Sequence, residues 1–259
     1  MRHWAIPRQT RAVPDAGERG VAIVILMLNE ARVLPRLLRS LAALDPAPDE
    51  VLAVDGGSQD DSVALARAGG LRVVEERVRG RAAPINRGVA EVSAPIVCVL
   101  HADTLLPDDA VAVIRATLAD SRVALAGFTP LLSGPEKVRW GTSFHNWIKT
   151  WYGPLLFRPH LFLRGGRLLF GDHAMFFRRK DFLAVGGCDP ALLVMEDADL
   201  CIRLNRLGRV RLVNRVVITS DRRVAAWGGL RANWIYLKVS VRWGLGLRKE
   251  LDRHYPDVR

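Results

Sequence analysis

VAIVILMLNE, residues Val21 to Glu30, is a run of eight aliphatic side chains that stops abruptly at an amide and a carboxylate. A run with no polar interruption has no face to offer to water, so it predicts a strand buried on both faces of a parallel sheet. Asn29-Glu30 then opens a helical pattern through Leu34, Leu37, Leu38 and Leu41, closed by Asp45-Pro46. The same alternation continues outward. A second strand, Glu50–Val54, ends at Asp55-Gly56-Gly57-Ser58, and Asp60 and Asp61 can cap a helix over Val63–Ala68. A third strand, Arg72–Glu75, leads through Gly80-Arg81 to a helix near Ala83–Ala90, and a fourth, Ile96–Leu100, runs into His101-Ala102-Asp103-Thr104. Strand and helix alternating at this spacing imply βαβ units, a mostly parallel central sheet flanked by helices, and right-handed crossovers.

After Leu118 the alternation breaks. One or two strands are expected over Val123–Leu132. A helix follows over Trp140–Tyr152, with Phe144, Trp147, Ile148 and Trp151 on one face. Gly153–Phe170, with Gly and Pro at its borders, is expected to be a mobile active-site loop. A strand at Ala174–Phe177, helices at Lys180–Val185 and Asp197–Leu207, a strand at Val210–Val217 and a helix at Leu230–Leu247 complete the chain. The expected organisation is a flexible lead-in over 1–20 and a single domain over 21–259. That domain comprises a nucleotide-binding half (21–118), an acceptor and catalytic half (119–225) and a basic, aromatic C-terminal helix (226–259).

Composition narrows the function classes. The net charge of +11 calls for an anionic partner, although an arginine-rich composition also arises from a GC-rich coding sequence. No helix-turn-helix, zinc spacing or RNP-like segment accompanies it, so no nucleic-acid partner is expected. Cys98, Cys188 and Cys201 lack metal-ligand spacing and fit a reducing cytoplasm. The longest apolar stretch, Val21–Leu28, is far short of the ~20 residues that span a bilayer, and residues 1–20 lack the apolar core of a secretory signal.

In an open α/β sheet, ligands bind at the carboxyl ends of the strands. Asn29 and Glu30, Asp55, Arg81, and His101 and Asp103 all fall there. Neither GxGxxG after the first strand nor GxxxxGK[ST] anywhere is present, so a divalent cation is the expected means of holding phosphates.

Five segments in order, MLNE (27–30), VDGGSQDDS (54–62), GRAAPINRG (80–88), HADT (101–104) and MEDADLCIRL (195–204), together with GDHAMFFRRKDFLAVGGCD (171–189), resemble the family 2 glycosyltransferases of GT-A fold. They are closest to a small bacterial subgroup with HADT and GDxA segments. The resemblance runs from about Val21 to Val217 and implies an inverting hexosyl transfer from a nucleotide-sugar donor, with UDP the family's commonest nucleotide. It implies that Leu28 and Glu30 line the base and ribose, that Asp55 accepts a hydrogen bond from the base, and that Arg81 reaches the base or diphosphate. It makes Asp103 the ligand of Mn²⁺ or Mg²⁺, with His101, which stands where the family has its first Asp, as a second contact. It makes Asp197 the general base, with Glu196 the alternative, and places Gly171, Asp172 and His173 beside the sugar or acceptor. Arg222 and Arg223 are a diphosphate clamp or a solvated patch, and Asn86 braces a strand end. The processive Gln-x-x-Arg-Trp segment is absent, which favours single transfer.

Two rival functions are a catalytically inactive nucleotide-sugar-binding module and a sugar-nucleotide pyrophosphorylase. The latter requires a glycine-rich basic segment where this chain has MLNEARV. The acceptor is unknown. For the C-terminal helix two readings stay open: Trp234, Leu237 and Val241 are one buried stripe, or Trp227, Trp234 and Trp243 with the basic residues contact an anionic inner membrane face and a lipid-linked acceptor.

Overall fold

The computed structural model describes residues 19–135, 137–247 and 251. The expected lead-in therefore lies almost wholly outside the described residues, as does most of the chain beyond Leu247. The elements run β1 (Val21–Met27), α1 (Leu34–Ala42), β2 (Glu50–Asp55), α2 (Ser62–Ala68), β3 (Arg72–Glu75), α3 (Ala82–Glu91), β4 (Ile96–His101), β5 (Thr104–Leu105) and α4 (Ala110–Ala119). They continue with β6 (Val123–Ser133), α5 (Trp140–Phe157), α6 (Pro159–Leu163), β7 (Phe176–Arg178), α7 (Arg179–Ala184), α8 (Glu196–Leu204), β8 (Arg209–Ser220), α9 (Arg222–Trp227) and α10 (Gly229–Gly244).

All seven residues of β1 are buried, as an uninterrupted aliphatic run requires. Because strand side chains alternate, Ala22, Val24 and Leu26 enter the core on one face of the sheet. Val21, Ile23, Ile25 and Met27 enter the core on the other. Each of the larger side chains, all but Ala22, contributes roughly 1.5–3 kcal/mol, which makes β1 the axis of the fold. Helix α3 lies close over it at Gly88, where a Cβ would run into the Val24 side chain.

One eight-stranded sheet has the order β3-β2-β1-β4-β7-β6-β8-β5. β3, β2, β1 and β4 are parallel neighbours, as the alternating pattern predicts. β7 then pairs antiparallel with both β4 and β6, and β6 runs parallel to β8, which β5 joins antiparallel. The sheet is thus α/β and mixed, parallel in its first half. Val123–Ser133 forms one strand.

Two expectations need correction, and the orientation of α5 is a finding of its own. Gly153–Phe170 is not a loop throughout: α5 carries on through Pro154 to Phe157, and α6 follows after Arg158. The apolar face of α5 points outward, with Phe144, Trp147 and Ile148 exposed, while Thr142, Ser143, Asn146, Lys149 and Thr150 are buried. In α10 the buried residues are Ala232, Val239 and Trp243, whereas Trp234 is exposed, so the stripe predicted through Trp234 is not the packed one. In α5 the side turned to the neighbouring cleft, described below, is the polar and small one.

Candidate active site

The carboxyl ends of β1, β2 and β4 open on a cleft of about 680 Å³. Leu28, Glu30, Gly56, Arg81, His101, Asp103, Gly171, Asp172 and Asp197 line it, so residues from both halves of the chain meet in one place. Asp55, Glu196 and His173 do not line it, though each sits directly behind a residue that does.

On the first side, the β1–α1 connection is tied to the β2–α2 connection. Asn29 N–H donates to Ser58 Oγ (2.9 Å), Glu30 N–H to Ser62 Oγ (2.7 Å) and Ala31 N–H to Asp60 Oδ2 (3.1 Å). Asp60 also accepts from Ser62 N–H at 3.0 Å, and the hydrogen bonds it gathers hold its carboxyl below the usual range, although burial opposes them. Asp55 is buried and its carboxylate is spent on the turn: Oδ2 accepts from Gly57 N–H and Ser58 N–H, both at 2.9 Å, and Oδ1 from the Ser58 hydroxyl. In this structure Asp55 shapes the loop that presents Gly56, and its Oδ1 accepts a single hydrogen bond.

Arg222, at the start of α9, crosses the cleft floor. Its Nη1 and Nη2 donate to Glu30 Oε2 and Oε1 at 2.9 and 2.7 Å, and Nη2 reaches Asp103 Oδ2 at 2.8 Å. Arg222 therefore ties the end of β1 to the end of β4 and balances two acids. It is a bridge between the two strand ends whose side chain stays partly open to solvent.

Arg81, just before α3, turns away from the base side. Its Nε lies 2.7 Å from Glu196 Oε1 and its Nη2 is 3.9 Å from Asp197 Oδ2. The two acids stand at the first positions of α8, 1% and 2% exposed. Met195 precedes them in the left-handed region (φ 68°), and that bend feeds both carboxylates into the interior. Asn29 (φ 56°) and Ala174 (φ 43°) are the other non-glycine residues with positive φ among those described. All three border the cleft or its supporting turn, and such backbone costs about 1–3 kcal/mol each. Asp197 Oδ2 accepts from Gly171 N–H at 2.8 Å and faces the cleft. Glu196 faces Arg81. Burial pushes the Glu196 carboxyl up to about 7; Arg81 opposes this and the neighbouring Asp197 adds to it.

Gly171, Asp172 and His173 form a single helical turn ahead of β7. A Cβ on Gly171 would come within 2.5 Å of His101 Nε2, so the position admits no side chain without displacement. Asp172 Oδ2 accepts from Asn146 Nδ2 at 2.8 Å, and its Oδ1 lies 3.0 Å from His173 Nδ1. Burial alone would raise the Asp172 carboxyl, but His173, Lys149 and His101 together hold it well below the usual range. His173 is fully buried, 3.1 Å from Phe170 N–H through Nδ1 and 3.4 Å from Thr150 Oγ1 through Nε2. The expectation that it touches sugar is corrected: the third residue of so short a turn is carried into the core.

Sequence reasoning missed Lys149. It is 7% exposed, lines the cleft, and holds its ammonium 3.7 Å from the Phe170 ring centroid and 5.3 Å from that of Tyr236. Burial lowers its pKa, against the pull of Asp172 and Asp197. Its signal was the polar spacing Thr142, Asn146, Lys149, Thr150, Gly153, which marks an inward polar face. Asn86 braces no strand end; its amide exchanges two 2.8 Å hydrogen bonds with the backbone of Cys188.

Whether a divalent cation suits the site turns on His101 and Asp103. Burial, then Arg81, lowers the His101 imidazole to about 4, leaving it neutral and able to donate a lone pair. Among the described residues no three His, Cys, Asp or Glu side chains are gathered as a cage. One carboxylate and one neutral imidazole fit a cation whose remaining ligands arrive with a diphosphate.

A family model described as Glycosyl transferase family 2 matches residues 22–186. A PGL/p-HBAD biosynthesis glycosyltransferase of Mycobacterium bovis (strain BCG / Pasteur 1173P2) is 26% identical over 250 residues, covering 92% of this chain and 91% of the relative. Glucosyl-3-phosphoglycerate synthase from Mycobacterium tuberculosis, solved with Mn²⁺, UDP and glucosyl-3-phosphoglycerate, superposes with a TM-score of 0.62 at 19% identity, over 94% of this chain and 87% of that one. The mannosyltransferase PcManGT from Pyrobaculum calidifontis, solved with GDP-Man and Mn²⁺, gives 0.63 at 19% identity, over 92% and 65%. The fold is that of the GT-A glycosyltransferases. With its family model matched across most of the strands that build this cleft, the chain belongs to glycosyl transferase family 2 and is a glycosyltransferase.

Proposed function

We propose that the cleft transfers a sugar from a nucleoside diphosphate to an acceptor hydroxyl in one step with inversion. The observation that carries this reading is the meeting of Asp103 and Asp197 in one cleft, from opposite halves of the chain. Leu28, Glu30 and Gly56 form the wall for base and ribose. Asp103 and His101 would hold Mn²⁺ or Mg²⁺ together with the donor's diphosphate, as Mn²⁺ accompanies nucleotide in the two solved relatives. When bound there, such a cation offsets negative charge on the leaving diphosphate.

Asp197 takes the acceptor's proton. Gly171 N–H fixes the orientation of its carboxylate, and Glu196, held by Arg81 outside the cleft, supports it without touching the acceptor. One base on one face of the sugar yields inversion, and proton removal by a positioned base contributes roughly 10²–10⁴-fold to the rate. Asp172, Gly171 and Lys149 form the acceptor side of the same cleft. The three cysteines are buried free thiols, which supports work in the cytoplasm. No described helix is long and apolar enough to cross a membrane. A peripheral contact of the basic aromatic C-terminal helix with the inner membrane face, and with it a lipid-linked acceptor, belongs to the same reading.

Calorimetry of UDP with and without Mn²⁺ tests it. Binding that needs Mn²⁺ and vanishes in Asp103→Ala, with the circular dichroism spectrum kept, is the expected result. Equal affinity in variant and parent would overturn the metal assignment.

A further inference from the structure

We infer that α5, α6 and α10 form one interfacial surface that lies on an anionic lipid leaflet, with α5 and α6 as its principal apolar part. On α5, Trp140, Phe144, Trp147, Ile148, Trp151 and Leu155 fall on a single helical stripe, and the ring centroids of Phe144, Trp147 and Trp151 follow one another at 6.0 and 6.2 Å. The stripe faces away from the sheet: Trp140 at the start of α5 is 70% exposed, Leu156 near its end 67%, and Leu163 of α6 84%. A water-soluble monomer rarely leaves so much contiguous apolar surface bare. On α10, which packs against α5, Leu230 and Trp234 are exposed as well.

Charge selects the occupant. Residues 137–171 and 222–249 contain 13 Lys and Arg and no Asp or Glu, and the stretches stay strongly basic without Lys149 and Arg222, which face the cleft, and Arg139, which pairs with Asp221. Six of the seven tryptophans are in the same two stretches, and Trp140, Trp147 and Trp234 among them are exposed. Tryptophan and leucine on one face with lysine and arginine around them suit the headgroup layer of an anionic membrane. A second copy of the chain would bring the same positive charge against itself.

The placement also has a direction. The inner sides of these helices, through Asn146 and Lys149 of α5 and Tyr236 and Ser240 of α10, are walls of the cleft. A narrow apolar seam between them, lined by Tyr152, Phe157, Leu237 and Trp243, ends at the same Lys149 and Ser240. A leaflet under α5 and α10 therefore lies beside the acceptor side of the cleft and would present amphiphilic acceptors to it. This deepens the transferase reading, resting on it only for what the leaflet serves.

Sedimentation of the full chain with vesicles of phosphatidylglycerol and phosphatidylcholine, against phosphatidylcholine alone, tests the surface. Binding to the anionic vesicles at low salt is expected. It should weaken by about tenfold or more in Trp140→Ser/Leu163→Glu, since two exposed apolar side chains leave the lipid. Brominated lipid should quench tryptophan fluorescence in the parent and less so in the variant. UDP titration of the same variant reports the cleft separately: unchanged UDP affinity with lost vesicle binding supports the surface. No vesicle binding, binding indifferent to the α5–α6 substitutions, a dimer in solution that covers α5, or full competition by duplex DNA without brominated-lipid quenching would each overturn it.

Discussion

Asp197 spends one carboxylate oxygen on Gly171 N–H and the other on Ala198 N–H, at 2.8 and 2.7 Å, so its orientation is set before any acceptor arrives. In the proposed role of Asp197 as base, Asp197→Asn keeps the volume and removes the proton acceptor. Transfer should fall by ~10²-fold or more while donor affinity stays within a few-fold, read from single-turnover rates and UDP titration. If Glu196→Gln abolishes transfer and Asp197→Asn does not, the two acids exchange roles. Glu196 also sets a pH dependence of stability. Its carboxyl is raised from an ordinary 4.5 to about 7, chiefly by burial, so the fold favours its protonated form. That contribution is complete below about 4.5 and fades as pH rises through about 7. Melting temperatures of the parent should therefore drop relative to Glu196→Gln across this window; parallel curves would contradict the assignment. Asp103 and Asp197 were legible because each is an acid directly at the end of a strand or start of a helix pattern. Lys149 was not, because a lysine among aromatic residues reads as solvated until the helix is seen with its polar side inward. Asp55 was legible as important, but only the turn shows that its oxygens are already engaged.

At the scale of the element, β1, β2 and β4 were readable because a buried parallel strand has to be a continuous apolar run, and each run ends in polar residues. α5 was found by its period, which left open where its apolar face points. Periodicity reports that one side is apolar, and only the core or a second apolar medium decides where that side points. Pro154 suggested a break, yet it sits near the end of the helix, which proceeds for three more residues. β7 escaped correct bounds for another reason: with three residues it is too short to show alternation, and its pairing on both sides is what makes it a strand. Phe176 is fully buried there, opposite Cys98 and Ala126, with the Phe128 ring 5.3 Å away. Phe176→Ala should destabilise by about 3–5 kcal/mol, measured by urea unfolding, with UDP affinity unchanged while the protein remains folded.

For the whole molecule, the mixed sheet explains both what the chain disclosed and what it withheld. Its parallel half follows from local alternation, whereas the order β4-β7-β6 is made by residues distant in sequence and has no local mark. That order has a consequence for how the protein comes into being. During synthesis β4 and β6 are complete once residue 133 has emerged, but the strand that belongs between them is still about 40 residues away, a few seconds at ribosomal speed. For that interval two apolar strand edges wait open, each a template for pairing with another chain. The ribosome therefore delivers this fold with its seam unsewn, and cells making it fast should accumulate insoluble chains unless a chaperone occupies the gap until Phe176–Arg178 arrives.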